Sequence, residues 1–339
     1  MTVVSIVTPV YNGGGYLAEC IESVIAQTYG DWRYDIVDNC SIDDTRAIAE
    51  RYASIDSRIH VHAASEFVPV VASFNRATTF LAPESVFFKP MMADDRLSPE
   101  FLEKMVAAAS ARPQVGLVCC VWTTASGPMF GRFPPAEEAV TYMRGRDAAR
   151  LAFVEDRHFF GSPTSTLIRA DLVRARTPYF YDEDNIHPDT QACFDVLRDS
   201  DFAFVHDPLA FLRVHDDTVT SRLGLDGMES IIAGRLYTLT RYGRDFFDDD
   251  EYRVCLTQAQ QRYYDRLAVA ALRLSGRQVW DFHRTMLQRS GLRLERRRVA
   301  AAIVPSLVRL LRTPRSLLRA VLRRFRRRAS LRSRRGQVV

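Results

Sequence analysis

Lysine is almost missing from this chain: of 46 basic residues, two are lysine (Lys89 and Lys104) and the others are arginine. We draw no function from that bias. The six cysteines, at 20, 40, 119, 120, 193 and 255, contain no Cys-x-x-Cys spacing. Neither a cysteine-built zinc site nor a redox pair is therefore expected. No segment approaches the ~18 uninterrupted apolar residues that a membrane-spanning helix needs. The first residues lack a basic stretch and a small-residue cleavage site, so no secretory signal is expected. These absences together predict a reducing, cytoplasmic setting. Acidic residues also run out: none follows Glu295, whereas residues 296–335 hold 15 arginines. Removing those charges from the formal net charge of +5 leaves a body of −10. An acidic body with a basic tail directs the tail toward an anionic partner, lipid or nucleic acid.

A packed core is present, since 47% of residues are hydrophobic and 26% charged, a globular balance. Val3 to Val10 is a β-branched run that predicts a buried strand. Asn12-Gly13-Gly14-Gly15 is a turn. Tyr16, Leu17, Cys20, Ile21, Val24 and Ile25 then fall on one helical face. Tyr34 to Val37 predicts a second strand ending at Asp38. Ser41 to Thr45 is a capping turn into a helix that reaches about Tyr52. Strands are expected at 58–62 and 86–88, with a helix over 69–81 between them. Ser98-Pro99 predicts a helix start, cap then proline, and a strand follows at 115–121. The alternation predicts an α/β sheet, mostly parallel and flanked by helices. Ligands in such sheets bind at the carboxyl ends of the strands. Further on, helices are expected over 141–154, 189–197 and 226–290, and strands over 165–168 and 202–205.

The chemistry-bearing residues cluster at those carboxyl ends. Thr8-Pro9-Val10-Tyr11-Asn12 closes the first strand. Asp38-Asn39-Cys40-Ser41 with Asp43-Asp44-Thr45 closes the second. Ala93-Asp94-Asp95 lies just past the fourth. This series resembles the family 2 glycosyltransferases of GT-A (Rossmann-like) fold, strongly over residues 3–120 and more loosely over about 160–220. The resemblance implies an inverting transfer of sugar from a nucleotide-sugar donor to an acceptor hydroxyl, in polysaccharide or glycolipid assembly. It implies that Pro9, Tyr11, Asn12 and Asp38 hold the nucleotide. Asp94 would be the ligand of a divalent metal, magnesium or manganese, and Asp95 would lie near the ribose or sugar. Hard cations of this kind take carboxylate, phosphate and water oxygens. The family's further aspartate, two residues before Asp94, is Met92 here, which leaves fewer protein ligands. Lys89 reads as a surface lysine ahead of a phosphate contact.

For the second half, the resemblance places the catalytic base at the start of a helix. Asp189 in His187-Pro188-Asp189-Thr190-Gln191 fits, with Asp182, Glu183 and Asp184 as alternatives. A bland reading of Asp189 is a helix-capping carboxylate. Relatives carry an acidic pair where this chain has Gln191. Gly161-Ser162-Pro163-Thr164 resembles the acceptor-side loop. Leu212-Arg213-Val214-His215 resembles the end of the catalytic domain, with His215 as a second metal ligand. We therefore expect a catalytic domain over 1–220, a helical extension over 221–295 and a basic tail over 296–339. In the tail, Leu317, Leu318, Val321, Leu322 and Phe325 share one helical face among arginines. That pattern suits an anionic membrane surface, ranked ahead of nucleic acid, and predicts a peripheral enzyme on the inner face. Saccharide or lipid-linked acceptors match such a position. The principal alternative is a GT-A domain degenerate in catalysis, kept as a binding or scaffold protein. A nucleotidyltransferase ranks lower, because no lysine follows the glycines of the first loop. No Gly-x-Gly-x-x-Gly fingerprint supports a dehydrogenase.

Overall fold

The computed structural model describes residues 2–125, 127–128, 133–134, 136–154, 159–213 and 227–312. His215 and the arginine-rich helix expected over 315–328 lie outside the described residues. The chain divides into two compact units, Met1–Cys255 and Leu256–Val339.

The first unit is built on a mixed sheet. β1 (Val4–Val10), β2 (Trp32–Asp38), β3 (Ile59–Ala63) and β4 (Phe87–Pro90) run parallel to one another, in the order β3-β2-β1-β4. Val4, Ile6, Val7, Tyr34, Ile36 and Phe88 are buried in these strands, as the unbroken apolar runs require. α1 (Leu17–Ile25) buries Leu17, Cys20, Ile21 and Val24. α2 (Thr45–Ala53) and α3 (Val70–Thr78) complete the parallel half.

Past β4 the direction changes. β5 (Arg96–Leu97) is a two-residue strand, and α4 (Phe101–Ser110) leads to β6 (Val115–Thr124). A short hairpin strand, β7 (Gly127–Pro128), pairs back onto β6. β8 (Val140–Met143) precedes α5 (Gly145–Val154), so the single helix expected over 141–154 begins instead as a strand. Val140 to Met143 pair antiparallel with residues 202–205, as the β-branched and aromatic Val140-Thr141-Tyr142 favour. β9 (Thr166–Arg169) sits between β4 and β6, antiparallel to both. α6 (Ala170–Arg174) and α7 (Pro188–Val196) follow. β10 (Asp201–Phe211) then pairs parallel with β6, and its register slips around Pro208, which has no N–H for a ladder.

The helix after Ser98-Pro99 starts later than its capping signal predicts, at Phe101. The carbonyls of Ser98 and Pro99 are taken by Gln27 Nε2 and the Thr28 amide at the end of α1. Those two residues work as a splice between elements, not as a cap.

α8 (Gly227–Phe246) closes the first unit, and α9 (Asp249–Leu272) runs past its end. In the second unit, α10 (Arg277–Arg289) and α11 (Arg296–Arg312) bury Met286, Leu287, Val299 and Ala302. His283 is buried there and hydrogen-bonded to the Tyr263 hydroxyl at 2.9 Å. Among the described residues no helix is long and apolar enough to cross a membrane.

Truncating Ile36, fully buried on β2, should lower stability by about 2–5 kcal/mol. Ile42→Ala, at a side chain 87% exposed, should stay within about 0.5 kcal/mol. Urea unfolding of the two variants beside the parent chain measures both.

Candidate functional site

The parallel ladder sets which residues meet at the sheet's carboxyl edge. Val10 of β1 stands opposite Asp38 of β2, and Val7 opposite Pro90 of β4. The loops after these three strands must therefore leave side by side. Asn12 and Cys40, just past two of the tips, adopt left-handed backbone at φ 52° and 64°. Such conformations are uncommon outside glycine and often accompany function.

The first two loops are sewn together. The Asn12 amide donates to Ser41 Oγ at 2.9 Å, and Asn12 Oδ1 accepts from the Ile42 amide at 2.9 Å. The Gly13 amide donates to Thr45 Oγ1 at 2.8 Å, and the Gly14 amide to Asp43 Oδ2 at 2.9 Å. A side chain at Gly13 would press on Val10 at 2.6 Å, and one at Gly14 on Asp43 at 2.9 Å. Glycine is what lets these loops close. Partial burial pushes the Asp43 carboxyl up, but hydrogen bonds from Thr45 and Gly14 outweigh it and hold the carboxyl below its ordinary range.

Asp38 is buried, and one of its oxygens accepts from the Ser41 amide at 3.1 Å. Asn39 beside it grips the Val68 backbone in both directions, at 2.8 and 3.1 Å. That grip brings in Phe67. Tyr11 and Phe67 stand 45% and 56% exposed, yet touch edge to face with centroids 4.9 Å apart. Two large aromatics left open at one strand end make a wall for a flat ligand. Phe67 carried no signal in the sequence, because an isolated aromatic in a loop has neither period nor motif.

The third tip carries the acidic pair. Ala93 lies against the first loop: a Cβ on Gly13 would stand 3.7 Å from that of Ala93. Asp38 and Asp94 therefore flank the β1 tip from either side on one edge. Asp94 is half-buried. Asp95 is 4% exposed and faces the protein: its two oxygens accept from Thr164 Oγ1 at 2.5 Å and the Arg213 amide at 2.9 Å. Asp95, expected near the ribose or sugar, thus holds two protein donors. Burial, then the charge of Asp94, pushes the Asp95 carboxyl up to about 7. The Arg213 guanidinium bonds the Asp94 carbonyl at 3.0 Å and Glu19 at 2.8 Å.

Lys89 departs from its surface reading. It is fully buried, and its Nζ donates to three carbonyls, of Pro90, Thr164 and Pro163. Burial pulls its ammonium down to about 7, while the thiol of Cys120 and the carboxyl of Asp95 act the other way.

Asp189 lies apart from the acidic pair but next to the same segments. A cavity of about 300 Å³ is lined by Trp122, Gly161, Ser162, His187, Asp189 and Leu212, among others. Ser162 is two residues from Thr164, and Leu212 adjoins Arg213. The two strands of chain that hold Asp95 thus also wall the cavity. His187 occupies the cap position of α7, so Asp189 sits in the first turn and is not itself the cap. Gly161, at φ +74°, packs against the Trp122 indole. Two of the three alternatives hold protein donors: Asp182 accepts from the Tyr237 hydroxyl at 2.7 Å, and Glu183 from Asn75 at 3.1 Å, while Asp184 is exposed. Gln191 donates to the Tyr242 hydroxyl at 2.6 Å, which makes it a packing contact between α7 and α8.

Among the described residues no group of three His, Cys, Asp or Glu could enclose a metal ion. A cation held by one carboxylate, with phosphate and water oxygens completing its shell, needs no such group. Asp94, half-buried just past β4, offers one such carboxylate.

A profile described as "Glycosyl transferase family 2" matches residues 5–177, just over half the chain. TuaG of Bacillus subtilis (strain 168), provisionally named a teichuronic acid biosynthesis glycosyltransferase, is 36% identical over 30% of this chain and 40% of its own length. The O-antigen biosynthesis protein RfbC of Myxococcus xanthus is 34% identical over 34% of this chain and 9% of its own. The chain thus spans well under two thirds of these relatives. Among solved structures, S. aureus TarS 1-349 in complex with UDP-GlcNAc aligns with a TM-score of 0.63 at 16% identity, covering 93% of this chain and 88% of that one. Mannosyltransferase PcManGT of Pyrobaculum calidifontis, in complex with GDP-Man and Mn2+, aligns at 0.52 and 16% identity, over 90% and 86%. At such identity the likeness shows the fold.

Asp43→Asn should loosen the first loop. Since the folded carboxyl lies below its ordinary value of 3.8, proton binding favours the unfolded chain. The stability gap between parent and Asp43→Asn should be full above about pH 4 and shrink as pH falls through the depressed value. Urea midpoints from pH 7 down to the acid limit of folding check the sign.

Proposed function

Because the chain belongs to glycosyl transferase family 2, we propose that it is an inverting glycosyltransferase, moving sugar from a nucleotide-sugar donor to an acceptor hydroxyl. The observation that carries this reading is the common edge. Asp38, Tyr11 and Asp94 leave neighbouring strand tips, and the segments behind Asp95 open directly onto the Asp189 cavity. The relatives' names support polysaccharide or glycolipid assembly as its setting.

In this reading the nucleobase lies against Pro9, Tyr11 and Phe67, and the Asp38 oxygen not engaged by Ser41 accepts a base N–H. Asn12 shapes the loop through its bonds to Ser41 and Ile42. Asp94 would hold magnesium or manganese together with the donor diphosphate, and His215 would be a second ligand. The ion would supply charge neutralisation for the departing diphosphate. Asp95, bonded on both oxygens, keeps the Asp94 backbone and Arg213 in place. The acceptor enters the cavity beside Gly161 and Ser162. Its hydroxyl oxygen bonds to the anomeric carbon from the face opposite the diphosphate. The sugar–diphosphate bond breaks, its electron pair leaves with the diphosphate, and Asp189 takes the hydroxyl proton. The catalytic domain is proposed to lie within residues 1–220.

The basic tail is proposed to place the enzyme on the inner, anionic face of a membrane, near lipid-linked acceptors. In α11, Val304, Leu307 and Val308 are exposed along one side, which supports an interfacial helix followed by arginines. A second reading, a donor-binding domain without turnover, rests on Met92, which stands where an acidic ligand would strengthen the metal site.

A thermal-shift screen of sugar nucleotides with and without manganese should find a metal-dependent donor, and Asp94→Ala should abolish that dependence. Asp189→Ala should keep donor binding and lower transfer by roughly 10²–10⁴-fold. Transfer at the parent rate would remove Asp189 from the mechanism, and parent-like binding without turnover would favour the second reading. Phe67→Ala should weaken donor binding about tenfold, a typical loss for one aromatic contact, while the response to manganese persists.

A further inference from the structure

Lys89 is the one lysine of the parallel sheet, and it is 0% exposed among apolar strand neighbours Phe87 and Phe88. An apolar side chain of that length would fill the same space without the cost of burying a charge. Its three hydrogen bonds go to backbone carbonyls: Pro90 at 2.5 Å, Thr164 at 2.8 Å and Pro163 at 3.3 Å. An ammonium has three donors, and here all three have acceptors. Its charge also lies over the Phe101 ring, 4.9 Å from the centroid.

Two of those carbonyls belong to the short turn Pro163–Ser165. From that turn Thr164, itself fully buried, reaches the acidic pair: its hydroxyl donates to Asp95 and accepts from the Met92 amide at 3.3 Å. Asp95 in turn holds the Arg213 amide. One chain of contacts therefore runs from Lys89 through the turn to Thr164, Asp95 and Arg213.

We propose that Lys89 is a positioning residue: it tethers the Pro163–Thr164 turn to β4 so that Thr164 holds Asp95, and Asp95 holds both Asp94 and Arg213 at the edge of the cleft. The consequence for donor binding rests on the reading given under Proposed function; the tether itself does not.

The test uses the full chain with Lys89→Met, Thr164→Val and the double variant, and follows amide hydrogen exchange at Arg213. Each single variant should raise exchange there by roughly tenfold or more while the β1 amides keep their protection. The double variant should add little to either, since both cut one chain of contacts. Unchanged exchange at Arg213 in folded Lys89→Met, or fully additive effects, overturns the tether. If Lys89→Met does not fold, Lys89→Gln, which keeps two of the three donors, should give a smaller rise at the same amide, and no rise overturns the proposal. Titration with UDP or GDP plus Mn2+ is the separate arm. Nucleotide affinity should fall about tenfold in both single variants and by no more than that in the double variant. A parent chain that binds neither nucleotide sinks the donor reading and leaves the exchange result to judge Lys89.

Discussion

The parallel register of β1 against β2 and β4 is the constraint on which the site depends. Val10 opposite Asp38, and Val7 opposite Pro90, force three loops out of the sheet at one edge, the third leaving three residues lower along β1. A slip of one residue would send every side chain of β1 to the other face. Val4, Ile6 and Val10, alternate residues of that strand, share one core cluster, and a slip would put Ser5, Val7 and Tyr11 in their place. Core packing and site geometry are thus the same fact seen from the two ends of a strand.

Two neighbouring carboxylates at the third tip divide the work. Asp95 points inward and spends its oxygens on Thr164 and Arg213. Asp94, half-buried, is the member we propose as the ligand-binding one. Burying Asp95 beside another acid is expensive, and its carboxyl rises to about 7 as a result. What is gained is rigidity: β4, the Pro163–Ser165 turn and the end of β10 converge on one side chain. An edge held this way needs no rearrangement to receive a charged ligand, which is how preorganised electrostatics act.

Much of this was legible in the residues. The β-branched run before Pro9 and the turn after Asp38 located two tips, and the Asp94-Asp95 pair located the third. Each signal is local, and parallel strands with their buried runs are the most readable elements. The rest failed for lack of local information. Val140 to Met143 are the exception: Val-Thr-Tyr is a local strand signal that the helical pattern after Gly145 overshadowed, and β10 pairs with it. Ser98 and Pro99 resemble a cap, but their carbonyls are claimed by α1. The exposure of Phe67 depends on Asn39, 28 positions earlier, gripping the next residue. Lys89 misled most. Lysine is ordinarily a surface residue, and only the carbonyls of a turn some 74 positions away make a buried ammonium tenable.

That last case bears on how the two halves of the site communicate. Gly161 and Ser162 line the Asp189 cavity, and Thr164, two residues on, clamps Asp95. Leu212 and Arg213 repeat the arrangement on the other side. A shift of either of these two segments pulls on Thr164 or on Arg213, and Arg213 is bonded to the Asp94 carbonyl. Sub-ångström adjustments travel through such contacts because packed interiors deform little. An occupant of the cavity and a ligand at Asp94 would then bias each other's binding through shared backbone, with the same coupling in both directions. The physical basis is that both positions hang from two short segments, each fastened to one buried carboxylate.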